Sequence, residues 1–460
     1  MDDLSVLAAA REFPKRDCLV VNGGVWSYDD VGERVSHALA LLRLRGIEPG
    51  VRVALTPTID VDSIVWLYAL FELGCPAVLV HPRLTDRERA AVLEEAKPAH
   101  VIAGPVRDHG ADEASKIGAV PDGRTLAIVY TSGSQGSPRG ARLSRRAFRA
   151  SAAAHAAHLG WAPADRWLLC MPPAHVGGLS ILTRSLIARR CVVLGAGTFD
   201  PAEVVRIMAR DRVTLLSVVP TMLRRLLTLE EPVWAPGPDL RAVLVGGAPF
   251  ADALRAFAVG RKVPALATYG CTEACSQITT QTFAQSARPG SGQPLLGIDV
   301  RIEGNEIQIR GDVLMDGYLG EDRAGASWTA DSWFRTGDLG CFLPDGQLLV
   351  LGRVDDRIVT GGENVSPEEV EAWLESVPGI ASACVFGLPH DDWGQEVVAA
   401  LAVEPTGYHR DTLVRRLESE LAPHKRPKRI ALLDSMPLNR SGKVDRAEVE
   451  RRCAGRLQPI

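Results

Sequence analysis

Short apolar runs alternate with helix-forming stretches through most of the first 300 residues, and this alternation constrains the fold more than any other property of the chain. TLAIVY (125–130), RWLLCM (166–171), CVVLG (191–195), VTLLSVV (213–219) and RAVLVGG (241–247) are short, apolar and often β-branched. Such runs read as buried strands. The stretches between them carry helix-start signals. In DPAEVVRIMARD, Asp200 is placed to cap, Pro201 suits the first helical position and Glu203 completes a capping-box-like pattern. The Ala-rich stretch 150–157 also reads as helix. Strand and helix in alternation predict an α/β fold, with parallel sheets covered on both faces.

The texture changes near residue 299. DVRIEGNEIQIRG alternates with period two about Gly304 and Asn305, the pattern of a hairpin. CFLPDGQLLVLG repeats it around Pro344, Asp345 and Gly346. These runs predict a small antiparallel β module over about residues 290–354. Past Arg353, the Ser366, Pro367 and Glu369 pattern starts a further helix in the same capping style. The expected organisation is a large N-terminal domain over 1–354 and a small α+β C-terminal domain over 355–460, with the boundary at Asp355.

Composition narrows the function. Hydrophobic residues make up 46% and charged residues 23%, the balance of a globular protein, and no apolar run approaches a membrane span. The formal charge of −4 argues against sequence-independent nucleic-acid binding. It is uneven: residues 421–460 carry +6, leaving −10 elsewhere, so the tail could meet a phosphorylated ligand or be a solvated basic face. The start, MDDLSVLAAAREF, lacks a basic region followed by an apolar stretch and does not read as a secretory signal. Nine cysteines without a C-x-x-C pair argue against a disulfide framework, and a reducing cytoplasm fits them best. The sequence leaves a homo-oligomer open.

The segment TSGSQGSPRG (131–140) follows the strand at 125–130 and precedes a helix expected near Ser144. Its glycines and small hydroxylated residues can turn backbone N–H groups and hydroxyls toward oxyanions. It is not a P-loop, since no G-x-x-x-x-G-K-[ST] string occurs. A surface turn is the alternative, but open α/β sheets bind ligands at this position.

The loop resembles the signature T-S-G-[ST]-T-G-x-P-K-G of the adenylate-forming superfamily, with Gln135 in place of Thr and Arg139 in place of Lys. Arg keeps the charge but exchanges a point for a fork. The resemblance implies that Thr131, Ser132, Gly133, Ser134, Gly136 and Arg139 meet the ATP phosphates. ATYGCTEACSQ (267–277) is similar to the family's Y-G-x-T-E motif, which puts Tyr269 and Gly270 beside the nucleotide and Thr272 on phosphate. Glu273 then holds Mg²⁺. WFRTGDLG (333–340) resembles Y-R-T-G-D. Its Asp338 would accept from the ribose hydroxyls, and Arg353 would add a second contact. Asp355 matches the hinge about which the C-terminal domain of relatives rotates. PLNRSGKVDR (437–446) resembles the C-terminal signature whose lysine, here Lys443, neutralises charge between the attacking carboxylate and the α-phosphate. GGENVSP (361–367) matches the loop that receives coenzyme A, with Gly361 and Gly362 beside the pantetheine arm; HKRPKR (424–429) is a candidate for its phosphates.

PPAHVGGLSILTRSL (172–186) lies where the superfamily builds the acyl pocket, with His175 and Gly178 on its wall. No Asp stands in this region to meet an α-ammonium, which disfavours an amino-acid substrate. This segment, SVVPTML (217–223), LVGGAPF (244–250) and the Ser276–Gln277 pair resemble the o-succinylbenzoate–CoA ligase family of menaquinone biosynthesis over nearly the whole chain. The small-molecule carboxylate implied has a second anion that needs a buried partner. Arg184, with Ser180 beside it, is the candidate, and a structural salt bridge is the alternative. Gly247, Ala248 and Phe250 would line the adenine or acyl pocket. The implied activity is ATP-dependent acid–CoA ligation, with ATP, Mg²⁺ and coenzyme A. Transfer to a carrier-protein thiol, and a non-catalytic nucleotide- or acyl-binding role, remain as alternatives.

Overall fold

The computed structural model describes residues 3–106, 118–131, 139–231, 233–321, 323, 325–404, 406–439 and 442–460. These residues form four sheets.

All five apolar runs are strands. Arg166–Leu169, Cys191–Leu194, Leu215–Val218 and Ala242–Val245 pair in parallel with one another and with Ala265–Cys271 in a nine-stranded sheet. Thr125–Thr131 lies in a five-stranded sheet, parallel to Ala77–Leu79. Asp200 caps helix Pro201–Arg210 as expected, accepting from the N–H groups of Ala202 at 2.9 Å and Glu203 at 3.4 Å, but the capping box does not close: the Glu203 side chain pairs with Arg206 instead. The Ala-rich stretch lies inside helix Arg145–Leu159, capped by Ser144.

The helix expected near Ser144 starts at Arg145, but a strand, Arg139–Ser144, comes before it and pairs antiparallel with Thr125–Thr131. The strand's other edge is covered by residues 317–319, with Leu319 N–H donating to the Gly140 carbonyl and Arg142 N–H to that of Gly317. Ser366 begins helix Pro367–Glu375 without a side-chain cap; its hydroxyl donates instead to the Leu351 carbonyl at 2.6 Å. That bond ties the helix to the preceding sheet.

The antiparallel module is present. Ile298–Glu303 and Glu306–Gly311 form a hairpin whose turn residues Gly304 and Asn305 have φ of 58° and 68°, the left-handed pair a tight two-residue turn requires. Phe334–Phe342 and Leu348–Arg353 complete this four-stranded sheet. From Ile358 onward the chain builds a mixed six-stranded sheet with its own apolar core. Among the described residues no helix is long and apolar enough to cross a membrane.

Candidate active site

The site lies where the strand ends of the large sheet, the antiparallel module and the loop around residue 443 meet. Antiparallel register puts Asp338 directly opposite Arg353, and Arg353 Nη1 donates to Asp338 Oδ1 at 2.7 Å. The other carboxylate oxygen accepts from the Tyr269 hydroxyl at 2.6 Å. Burial acts to lower the Arg353 pKa, but the Asp338 charge and hydrogen bond, together with the charges of Asp355 and Asp356, outweigh it and hold the guanidinium above its ordinary value. Burial, then the Asp338 charge, pushes the Tyr269 phenol up, so it stays a donor.

Tyr269 and Glu273 are linked by a sharp reversal of chain direction. A Cβ at Gly270 would stand 1.5 Å from the Ser276 carbonyl oxygen, so only glycine lets the two strands cross here. The turn Thr272–Ala274 follows, and Cys275 closes it with φ of 51°. Glu273 is fixed twice: its carbonyl accepts from Met315 N–H at 2.7 Å and its Oε1 from the Tyr318 hydroxyl at 2.7 Å. The other carboxylate oxygen, with the Thr272 hydroxyl nearby in sequence, fits a hard dication shared with phosphate oxygens.

Lys443 comes from the last lobe of the chain. Gly442 offers its carbonyl to the Thr221 hydroxyl at 2.6 Å, and Lys443 is bracketed by Asn439 through backbone and side-chain bonds. Its Cε lies 3.4 Å from where a Cβ on Gly247 would stand, so the missing side chain opens its path. Lys443 keeps a solvent-accessible surface inside a cleft whose walls surround it. This enclosure lowers its pKa, against the pull of Asp338 and, more weakly, Glu273. Lys443, Asp338, Arg353 and Glu273 thus share one electrostatic neighbourhood.

Thr131 and Arg139 face each other at the ends of the hairpin that closes the anion loop. Ser132, Gly133, Ser134 and Gly136 lie outside the described residues. Arg139 stacks 3.6 Å above the Tyr318 ring centroid and pairs with Glu321 at 2.5 Å. Gly247 and Ala248 follow strand Ala242–Val245; Phe250 packs beneath Arg255, at 4.5 Å from guanidinium carbon to ring centroid, on the side of helix Asp252–Gly260.

His175 stands at the N-terminus of helix Val176–Ile187, its ring 4.7 Å from that of His81. Its Nε2 is buried without a hydrogen-bond partner. Burial first, and then His81, Lys443 and Arg83, push its pKa down to about 4. The unfolded chain titrates near 6.5, so acid protonates it first. This contribution to stability is complete above pH 6.5 and fades as pH falls toward 4. Replacing His175 by Phe is expected to flatten the acid limb by about 2–3 kcal/mol in denaturant melts across that range, after allowance for partial exposure. An unchanged limb would refute the buried-neutral assignment. Gly178 has a packing reason of its own: a Cβ there would meet the Pro172 and Met171 carbonyl oxygens at 2.4 and 2.6 Å.

Arg184 and Ser180 meet at one backbone carbonyl. Arg184 is 3% exposed; its Nη atoms donate to Gln277 Oε1 at 2.5 Å, Ser151 Oγ at 2.8 Å and the Cys275 carbonyl at 3.4 Å, while its Nε is buried without a hydrogen-bond partner. Ser180 donates to that same carbonyl at 3.3 Å. Among the described residues the hydrogen-bond partners of Arg184 are all uncharged, and burial lowers its pKa to about 10. In place of a salt bridge, Arg184 clamps the backbone two residues past Glu273.

Gly361 and Gly362 form the exposed turn between Ile358–Thr360 and Glu363–Val365, and Gly361 donates to the Trp393 carbonyl at 2.9 Å. The turn faces solvent in this pose. The basic string is largely spent on local partners: Lys425 pairs with Glu369, Arg426 donates to the Leu421 and Glu418 carbonyls, and Arg429 pairs with Glu396. The side chains the sequence left unnoticed are Tyr318, Thr221 and His81. Tyr318 follows a lone Gly317 with no flanking motif that would have drawn attention to it.

The model of the AMP-binding enzyme family matches residues 6–124 and 118–319, and that of the AMP-binding enzyme C-terminal domain matches 369–443. The 2-succinylbenzoate–CoA ligase of Bacillus pumilus (strain SAFR-032) is 34% identical, with 94% of each chain covered. Two solved structures of o-succinylbenzoate CoA synthetase from Bacillus subtilis are 28% identical. One, in complex with the acyl-adenylate intermediate OSB-AMP, superposes with a TM-score of 0.89 over 98% of both chains. The other, with ATP and magnesium ion, gives 0.88 over 97% of this chain and 98% of that one. The chain belongs to the family of AMP-binding enzymes that contains the 2-succinylbenzoate–CoA ligases.

Proposed function

We propose that this enzyme ligates o-succinylbenzoate to coenzyme A through an acyl-adenylate, consuming ATP. The observation that carries the reading is the convergence of Tyr269, Glu273, Asp338, Arg353 and Lys443 on one cleft. It is supported by the acyl-adenylate complex of the Bacillus subtilis relative.

In the first half-reaction the substrate carboxylate attacks the α-phosphorus of ATP and pyrophosphate leaves. Asp338, already oriented by Tyr269 and Arg353, accepts from the ribose hydroxyls and fixes the nucleotide. Lys443 offers a cation where two anions must approach in line. Magnesium, held by Glu273, would supply charge neutralisation on the phosphates. Thr131, Thr272 and Arg139 complete the phosphate side, and Gly247 and Ala248 the wall beside the base. His175, neutral and with a free ring nitrogen, borders the acyl group.

In the second half-reaction the coenzyme A thiolate attacks the acyl carbon and AMP departs. Gly361 and Gly362 belong to the lobe that must turn to deliver it. Residues 354–357 connect strand Leu348–Arg353 to Ile358–Thr360, and Asp355 within them, 3.9 Å from Arg353, is our hinge. The nine free cysteines fit a reducing cytoplasm.

The test is carboxylate-dependent exchange of labelled pyrophosphate into ATP over a panel of acids, followed by addition of free coenzyme A. We expect o-succinylbenzoate to support exchange at least tenfold better than benzoate, with o-succinylbenzoyl-CoA as product. No exchange with any acid would leave a binding role. Exchange without thioester formation would favour a carrier-protein acceptor.

A further inference from the structure

We propose that Tyr318 is a positioning residue: it holds the Glu273 carboxylate in the orientation magnesium needs and couples it to Arg139. This rests on the ligase reading above, in which Glu273 meets the metal.

The segment around Tyr318 is fixed on two sides. Toward the metal side, Met315 N–H donates to the Glu273 carbonyl at 2.7 Å, and the Tyr318 hydroxyl to Glu273 Oε1 at 2.7 Å. Toward the anion loop, Leu319 N–H donates to Gly140 and Arg142 N–H to Gly317, at 2.8 and 3.0 Å, and Ala141 bridges to Tyr318 itself. Tyr318 is therefore held by the strand that leaves the loop while its hydroxyl holds the carboxylate. It is 7% exposed, so its ring has little freedom.

A carboxylate on a turn has a free χ3 rotation unless something restrains it. A phenol hydrogen bonded to one oxygen removes that rotation and leaves the other oxygen for a cation. Arg139 lies against the same ring, 3.6 Å from its centroid, with Nη2 on Glu321 Oε2. A planar guanidinium can stack and pair at once, which a lysine ammonium cannot reproduce. The Arg139 substitution in the loop and the tyrosine are thus parts of one arrangement. The loop's cation touches the face of one buried ring whose hydroxyl holds the metal's carboxylate.

The decisive variant is Tyr318→Phe, which keeps the ring and the stacking and deletes only the hydroxyl. ATP dissociation constants for the full-length wild type and variant are measured by calorimetry, with magnesium and with EDTA, beside thermal unfolding of both. We expect the magnesium-dependent tightening of ATP binding to shrink five- to tenfold in the variant. Metal-free ATP affinity should stay within twofold and the melting temperature within a few degrees. An unchanged magnesium effect, or an equal loss with and without metal, overturns the positioning role. If wild type itself binds ATP no better with magnesium, the ligase reading fails instead.

Discussion

Lys443→Ala is expected to slow acyl-adenylate formation by about 10²–10³-fold, equivalent to roughly 3–4 kcal/mol of lost transition-state stabilisation. Transfer from supplied acyl-AMP to coenzyme A should remain within a few fold of wild type. The reason is placement. Lys443 is carried by a loop whose backbone is fixed independently of its side chain, through Thr221 on Gly442 and through Asn439. Removing the ammonium leaves those bonds in place, so the lobe should still dock. What disappears is the positive charge beside Asp338, Arg353 and Glu273, at the point where carboxylate and phosphate must approach. Pyrophosphate exchange measures the first step, and single-turnover thioester formation from acyl-AMP the second. An equal loss in both would remove Lys443 from adenylation in particular and make it a general structural contact.

Arg184→Ala is expected to destabilise the protein by about 3–5 kcal/mol, because it strips donors from a buried polar cluster without replacing them. Gln277, Ser151 and the Cys275 carbonyl all lose a charged partner. His155, fully buried and kept neutral by that burial, with the Arg184 charge adding to it, would also lose a neighbour. The kinetic signature separates this from a substrate clamp. A clamp predicts a KM increase for dicarboxylates far larger than for benzoate-like monoacids. The backbone role predicts a lower kcat for every acid alike, since the Cys275 carbonyl closes the turn that carries Thr272 and Glu273. Urea melts give the stability, and the acid panel gives the ratio. A discrimination that changes tenfold in favour of monoacids would assign Arg184 to the substrate instead.

The parallel strands, the Asp200 cap and the Gly304–Asn305 hairpin were readable because each is set by neighbours a few residues apart: apolar runs, a capping oxygen, a turn that tolerates positive φ. Even the Asp338–Arg353 pair is local in this sense, since one hairpin and its register bring the two together. The Arg139–Ser144 strand escaped notice because its buried positions are filled mostly by Gly140, Ala141 and Ser144, which leave no apolar run to read. Arg184 illustrates the harder limit. Its helix face was legible, but the acceptors it meets come from residues 33 to 93 positions away.

Tyr318 against Glu273, Arg139 against Glu321, and Gly442 against Thr221 span 45, 182 and 221 residues. Chemistry by residue type, a carboxylate for a dication or a lysine for converging anions, was therefore written along the chain as motifs. Which oxygen is restrained, which guanidinium is already occupied, and whether the lysine reaches the cleft followed from packing. Side-chain contacts across the fold depend on how whole sheets and lobes dock, and periodicity, caps and turns carry no record of that.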